Sequence, residues 1–464
     1  MKNFYGNVFL NDYENEKKKT VLTKDEALFD LEQFMFFITT GSISFYLMKD
    51  ELKELLYKKY KEKKKILENL DIICLNQLFD SFKYIVEDIE DFHSMISVSH
   101  ENEKYFYSFG KKHFPFFTKE LFDKNANGFI NYEKGEQYYQ GKSLENKDCK
   151  IKSNIPYFVP TIIDSKIKYR MCVFSDCNKN IEVENFSFFP VSYNWQNLKQ
   201  YDKEFNTNQS CYWIFPDDTW KKEEREKKYA ELKSAAEISS NKKFVIIENR
   251  ANFGGIPWNQ MEIIFSLLGI KNEIENHQEI KKERFLEGSV LVSPLVAKKT
   301  LLDIERYQCS KDVKDKLYEF WDEKLNFKNK VYIDKETELE WWEYNEDLQK
   351  KIKFKGKIIL IINQDTMSWG ELIINFIKNV LGYKNVIIIG TNSRGCVAYG
   401  NPLFYNLKNS GIDVGLSSVT DVDKVQAEVL REKVETRGVL PDYWAITEEE
   451  IYNTLKFILN EEKL

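Results

Sequence analysis

The sequence is poor in the residues that build metal centres and disulfide scaffolds. It has 4 His and 7 Cys among 464 residues, and the cysteines are widely scattered with no Cys-x-x-Cys pair. Zinc ribbons and dense disulfide frameworks need closely spaced cysteines. The dinucleotide fingerprint Gly-x-Gly-x-x-Gly is also missing. We therefore expect no metal and no cofactor.

One stretch approaches a calcium-binding loop but lacks its last ligand. In DKNANGFINYEK, residues 123–134, the early acidic and amide residues and the central glycine follow the required order. The loop needs a bidentate Glu at its twelfth position, and this sequence has Lys134 there. An Asn-Gly hairpin turn explains the same residues. We predict no calcium site.

Neither a basic block nor a long apolar run is present. Lys and Arg (68) nearly balance Asp and Glu (74), and no basic stretch is interleaved with aromatics, which argues against a nucleic-acid partner. The apolar run over residues 34–48 is too short to span a bilayer and predicts a buried helix. The first residues lack the apolar core of a signal peptide. The expected location is cytoplasmic, or periplasmic or secreted if a leader was removed.

The chain does contain ample material for packed cores. Hydrophobic residues make up 42% and aromatic residues 15% of its 464 residues, a length that predicts two or three domains. Near the N-terminus, a Thr-x-x-Glu capping box at Thr23 and Glu26 precedes apolar residues at helical spacing. The middle of the chain has short aromatic and β-branched segments separated by turn residues. The last part alternates between predicted strands and predicted helices. We predict a mixed α/β fold with a helical N-terminal domain (1–104), a β-rich middle region (105–235) and an α/β domain (236–464).

Ser368 stands where a strand, KIILII, runs almost directly into an amphipathic helix, in INQDTMSWGELIINFIKNVLG. A serine at a helix start is commonly a cap, because its oxygen accepts from backbone N–H groups that have no partner in the helix. It can also be a nucleophile, because those N–H groups and the positive helix end stabilise a developing oxyanion. These residues alone leave both interpretations open.

Three further segments combine a strand with glycine-containing turns. FVIIENRANFGG ends a buried strand in paired glycines, Gly254 and Gly255, which let the backbone approach a ligand closely. A tight strand–helix turn explains the same glycines. VIIIGTNSRGCVAYG is a strand followed by a glycine loop, and VETRGVLPDYW has a fixed turn after Glu435.

The order of these four segments resembles the tail-specific (C-terminal processing) serine proteases, and within them the tricorn core protease branch. ENRANFGG is similar to the family's D-x-R-x-N-x-G-G, NQDTMSWGE to its N-x-G-S-A-S-A-S-E, and VETRGVLPD to its E-x-x-G-V-x-P-D. The likeness covers roughly residues 244–255 and 356–445 and is weaker over 26–100. It implies that Ser368 is the nucleophile and that Glu371 is the glutamate three residues later.

The resemblance also points to a base. The tail-specific branch uses a lysine within F-G-K-G, but SRGCVAYG has Cys396 at that position, so a Ser–Lys dyad is not expected. The tricorn branch takes a histidine from the preceding region, and DIEDFHSMI resembles that segment. This makes His93 the implied base, although Phe92 stands where a serine or glycine is usual, and His100 is the reserve candidate. A lone histidine can equally be an ordinary core or surface residue.

Further roles follow from the same resemblance. Glu435 matches the acidic residue that positions or polarises the active-site groups. The oxyanion hole would combine the Trp369 N–H with that of Gly254 or Gly255. The implied activity is peptide-bond hydrolysis through an acyl-enzyme, with a crotonase-like catalytic core over 236–464 and the base histidine from the N-terminal domain.

The expected partner is a peptide or unfolded protein. No carboxylate-binding loop of a PDZ domain is recognisable between 105 and 235, so the substrate would bind as an added strand beside the core sheet. Homo-oligomerisation is left open. Two alternatives remain: an inactive relative that binds peptides or apolar ligands, because the same core serves retinoid-binding proteins, and a crotonase-type acyl-CoA enzyme.

Overall fold

The fold is described by a computed structural model, and its chain divides into two compact units of three segments each. The described residues are 19–100, 103–110, 113–117, 156–163, 165–176, 195–216, 220–250, 252–255, 258–272, 289–304, 311–325, 332–335, 350–420 and 438–461. The first unit comprises Met1–Lys111, Glu279–Leu339 and Ala398–Thr436, and the second Lys112–Gln278, Glu340–Val397 and Arg437–Leu464. Among the described residues, no helix has the length and apolar character needed to cross a bilayer.

The first unit begins with the helices that the sequence predicts. The helices are α1 (Lys24–Gly41), α2 (Ile43–Leu47), α3 (Asp50–Glu68) and α4 (Leu75–Val86), with β1 (Val21–Thr23) antiparallel to β2 (Ile72–Cys74). The capping box is confirmed, because the Glu26 N–H donates to Thr23 Oγ1 and the Thr23 N–H donates to the Glu26 carboxylate. The apolar run over residues 34–48 is largely buried, as predicted, but it forms the end of α1 and all of α2, with a break at Ser42, rather than one helix.

These helices pack against an antiparallel sheet of the same unit. Its strands are β3 (Asp91–His100), β4 (Glu103–Phe109), β10 (Ser289–Val292), β11 (Tyr332–Lys335), β14 (Tyr399–Asn406) and β15 (Asp413–Thr420). The order is β11-β10-β15-β3-β4, and β14 pairs with β15. Helices α8 (Pro294–Asp303) and α9 (Lys311–Leu325) follow β10 in the chain. One continuous apolar core joins α1, α4 and the inward residues of β3 and β15.

The second unit is built on a parallel sheet. Its strands are β8 (Ser210–Ile214), β9 (Phe244–Glu248), β12 (Lys357–Ile362), β13 (Val386–Gly390) and β16 (Tyr443–Trp444), in the order β16-β13-β12-β9-β8. Every neighbouring pair is parallel. The strands β8 and β9 are buried along their whole length. Their sequences are therefore largely continuous apolar runs and do not alternate between apolar and polar residues.

Helices and a second sheet complete this unit. The helices are α5 (Trp195–Phe205), α6 (Lys222–Ser239), α7 (Trp258–Leu268), α10 (Trp369–Leu381) and α11 (Glu448–Glu461). The rings of Phe265 on α7 and Phe376 on α10 stack at 5.3 Å between centroids. The smaller antiparallel sheet has the order β5-β7-β6, with β5 at His113–Phe117, β6 at Pro156–Ile163 and β7 at Lys166–Asp176. The helices and several sheets confirm the mixed α/β class. The stretch over residues 123–134 lies outside the described residues.

Candidate active site

Ser368 occupies a strained turn between β12 and α10. Its backbone has φ +53° and ψ −122°, a conformation that residues with a Cβ rarely adopt and that costs about 1–3 kcal/mol. It stands at the N-cap of α10, yet its side chain makes no capping hydrogen bond. The cap interpretation of this serine is therefore wrong. Ser368 is half-buried at this helix start.

The turn is joined to the end of β9 by buried hydrogen bonds. The Met367 N–H donates to the Asn252 carbonyl at 3.1 Å, and Thr366 Oγ1 donates to the Asn249 carbonyl at 2.8 Å. The Asn249 amide donates in return to the Gly370 carbonyl at 2.9 Å. The first two of the four sequence segments are therefore joined by hydrogen bonds around Ser368.

The first of the paired glycines, Gly254, faces the serine. A Cβ on Gly254 would stand 2.6 Å from Ser368 Cβ, 3.1 Å from its Oγ and 3.0 Å from the Trp369 nitrogen. Both glycines have positive φ, +90° at Gly254 and +95° at Gly255. The Gly254 N–H already donates to Asn252 Oδ1 at 3.2 Å. Within the described part of the chain the Gly255 N–H has no acceptor, and Gly255 is exposed.

If Ser368 is the nucleophile that the family resemblance implies, a methyl group at Gly254 should damage catalysis. In Gly254→Ala the new Cβ collides with Ser368 Cβ, so the serine or the glycine turn must move, and a displacement of about 1 Å can lower turnover about 10²-fold. Steady-state peptide hydrolysis measures this. The matched control is Gly382→Ala, because Gly382 has φ +87° but its nearest neighbour is 3.9 Å away. Gly382→Ala should lose stability and keep its turnover. Equal turnover in the two variants would contradict the view that Gly254 makes room for a catalytic Ser368.

Glu371 fixes the glycine loop that follows β13. Its fully buried carboxylate accepts from Ser393 Oγ at 2.5 Å and from the backbone N–H groups of Gly395 and Cys396, both at 2.7 Å. The residue three positions after Ser368 is thus bound to the third sequence segment. Cys396, which the sequence resemblance aligns with the lysine of the tail-specific branch, is buried.

The fourth segment meets the same loop. The Val439 N–H donates to Ser393 Oγ at 2.6 Å, and the Ser393 N–H donates to the Val439 carbonyl at 3.1 Å. Gly438 has φ +84°, and a Cβ there would lie 2.1 Å from the Ser393 carbonyl oxygen. Four segments that are separate in sequence therefore converge around the end of β12. Glu435 lies outside the described residues.

A buried ion network lies beside this site, and sequence reasoning missed it. Arg250 is 1% exposed and donates to both oxygens of Glu248 at 2.8 Å and to Glu448 at 2.5 Å. Burial opposes the guanidinium charge, but the two carboxylates outweigh it and raise the pKa of Arg250, so the cation persists. Tyr212 and Tyr201 donate to the same two carboxylates. The network fixes the β9 turn to the start of α11.

His93 belongs to the first unit. It lies near the start of β3, in a bulge where the pairing with β4 shifts between Asp91 and Met95. The residue is half-buried, with both ring nitrogens buried, and the His93 N–H donates to Asp91 Oδ1 at 3.1 Å. The reserve candidate, His100, is the last residue of β3.

Comparison with known proteins identifies the family. Residues 217–444 match the model of peptidase family S41, and no curated protein matches significantly. Mature CPAF complexed with lactacystin is 12% identical, with a TM-score of 0.39, over 95% of this chain and 98% of that one.

Two further solved structures are similar at the same level. The photosystem II D1 C-terminal processing protease is 11% identical, with a TM-score of 0.29, over 93% of this chain and 96% of that one. The tricorn protease is 12% identical, with a TM-score of 0.38, over 95% of this chain but only 37% of that one. The assignment depends on the family match, which contains all four converging segments completely. Over residues 217–444 this chain belongs to peptidase family S41, the tail-specific serine proteases.

Proposed function

We propose that Ser368 is the nucleophile of this serine peptidase and that His93 is its general base. The observation that carries the proposal is the backbone of Ser368, which is held at positive φ without capping the helix that it precedes. Strain of this kind persists only where the surroundings enforce it, and it concentrates at functional sites. Here the enforcing contacts come from the β9 turn through the Met367 N–H and from Gly254.

The reaction would proceed in two halves. His93 takes the proton from Ser368 Oγ as the oxygen attacks the peptide carbonyl carbon, and the C–O bond formed gives a tetrahedral oxyanion. Collapse breaks the C–N bond, and the imidazolium gives its proton to the leaving amine. His93 then deprotonates a water molecule, which attacks the acyl-enzyme and releases the acid and free Ser368. Glu435 would favour the imidazolium form through its charge.

The oxyanion would be bound by two backbone donors. Trp369 is the first residue of α10, where the helix end carries a partial positive charge. Between the two glycines, Gly255 is the better second donor, because the Gly254 N–H already donates to Asn252. Each such donor contributes about 10²–10³-fold to turnover. Gly254 instead supplies the space in which Ser368 lies.

The substrate would be an extended peptide or a segment of an unfolded protein. An extended chain can add to a sheet edge through backbone hydrogen bonds, which give affinity without demanding one sequence.

A fluorophosphonate probe tests the nucleophile directly. Only an activated serine hydroxyl forms the phosphonylated adduct, so we expect one labelled residue, Ser368, identified by peptide mass mapping. An inactive binding protein of the same fold would not be labelled. Labelling of unfolded protein serves as the background control, and absence of labelling above that background would overturn the proposal.

A further inference from the structure

Asp91 is a fully buried carboxylate with four hydrogen-bond donors around it. Its exposed fraction is 0%. Oδ1 accepts from the His93 N–H at 3.1 Å, the Ser94 N–H at 3.0 Å and Ser417 Oγ at 2.9 Å. Oδ2 accepts from Ser94 Oγ at 2.6 Å. A buried carboxylate is costly unless its oxygens are satisfied in this way.

The carboxylate lies at the bulge that carries His93. Asp91 pairs with Phe109 of β4, and the next pair is Met95 with Ser108, so residues 92–94 have no partners in the ladder. Such bulges redirect a side chain and commonly lie next to active sites. Here the backbone N–H groups of two bulge residues, His93 and Ser94, are satisfied by Asp91 instead of by a neighbouring strand.

The neighbouring strand β15 fixes the bulge from the other side. The Ser417 N–H donates to Ser94 Oγ at 2.9 Å while its hydroxyl donates to Asp91. The bulge, the carboxylate and β15 therefore form one closed hydrogen-bonded set. A neutral amide could not replace the carboxylate fully, because one of its two polar atoms is a donor and only the other accepts.

We infer that Asp91, supported by Ser94 and Ser417, is a positioning residue that holds the backbone of His93 for its work as general base. The inference rests on the proposed function, since it assigns a task to His93. Asp91 acts on the main chain of the histidine, and it touches neither substrate nor the reacting atoms. Its contribution is orientation, and misplacement of a catalytic group by about 1 Å can lower turnover about 10²-fold.

Substitution of Asp91 should lower turnover without weakening substrate binding. We expect Asp91→Ala to lower kcat about 10²-fold with KM changed less than about threefold. Asp91→Asn should lose much less kcat than Asp91→Ala, because its carboxamide oxygen can still accept from the two bulge N–H groups. Ser417→Ala, which removes one of the four donors, should have a smaller effect in the same direction. Circular dichroism and thermal unfolding establish that each variant is folded.

Asp30 provides the matched control. It is another fully buried carboxylate of the first unit, and it accepts from the Asn409 N–H at 3.0 Å and the Ser410 N–H at 2.7 Å. Its donors belong to the loop between β14 and β15, and none belongs to the bulge. Asp30→Ala should therefore lose stability and keep its kcat. A kcat loss in Asp30→Ala equal to that in Asp91→Ala would overturn the inference, because any buried carboxylate would then have the same effect.

A double-mutant cycle separates this inference from the proposed function. If Asp91 acts through His93, then Asp91→Ala adds no further loss once His93→Ala is present. Additive losses would overturn the positioning role and leave the base assignment standing. If His93→Ala alone keeps wild-type turnover, the proposed function fails and the inference falls with it. If His93→Ala is inactive and folded Asp91→Ala has wild-type kcat, only the inference fails.

Discussion

Ser368→Ala should abolish peptide hydrolysis and leave the fold intact. The alanine lacks the oxygen that forms the acyl-enzyme, so turnover should fall by several orders of magnitude. Losses of that size are usual when the nucleophile of a nucleophile–base pair is removed. Nothing in the fold depends on the hydroxyl, because it makes no capping bond to α10. Peptide hydrolysis by purified protein measures the loss, and near-wild-type turnover would remove Ser368 from the mechanism.

A glycine at the same position separates function from strain. Glycine normally costs about 0.5–1 kcal/mol relative to alanine through the entropy of the unfolded chain. At the φ of +53° found at Ser368, glycine should instead be the more stable of the two, because it has no Cβ to be strained in this conformation. We expect Ser368→Gly to be inactive but more stable than Ser368→Ala by about 1 kcal/mol, measured by chemical denaturation. A less stable glycine variant would mean that the turn is not strained.

The elements around the site could be predicted from the sequence because each has a local signal. The apolar run KIILII predicts a strand buried on both faces, and the structure places it as β12 in the parallel sheet. The capping box at Thr23 marks the start of α1 in the same way. The glycines of RANFGG predict a close backbone approach, and Gly254 does approach Ser368. Such signals depend on neighbours within a few residues.

The contacts that orient the site could not be predicted, because their partners are distant in sequence. Asp91 and Ser417 are 326 positions apart, and Arg250 and Glu448 are 198 apart. No sequence periodicity links such distant positions. Asp and Glu are also so frequent in this chain that residue type alone does not show which carboxylate pairs with a given arginine or serine. The different roles proposed for the two glycines could not be predicted from the sequence either. They depend on the Asn252 side chain, which accepts a hydrogen bond from the Gly254 N–H.

The proposed base carries the second large prediction. His93→Ala should lower kcat about 10²–10⁴-fold, the usual contribution of general-base assistance, with little change in KM. The fold should persist, because alanine keeps the N–H that donates to Asp91. Steady-state kinetics on a peptide substrate measures the effect. The control is His100→Ala, which removes the other histidine of β3 and should keep its turnover.

The pH dependence makes this test specific to a base. A neutral imidazole accepts the serine proton and an imidazolium cannot, so wild-type kcat/KM should fall on acidification as His93 becomes protonated. The residual activity of His93→Ala should lack that fall. If His93→Ala keeps both the wild-type rate and the wild-type pH profile while His100→Ala loses them, the base is His100. If neither variant changes, the nucleophile is activated by a group other than these histidines, and the assignment of His93 is wrong.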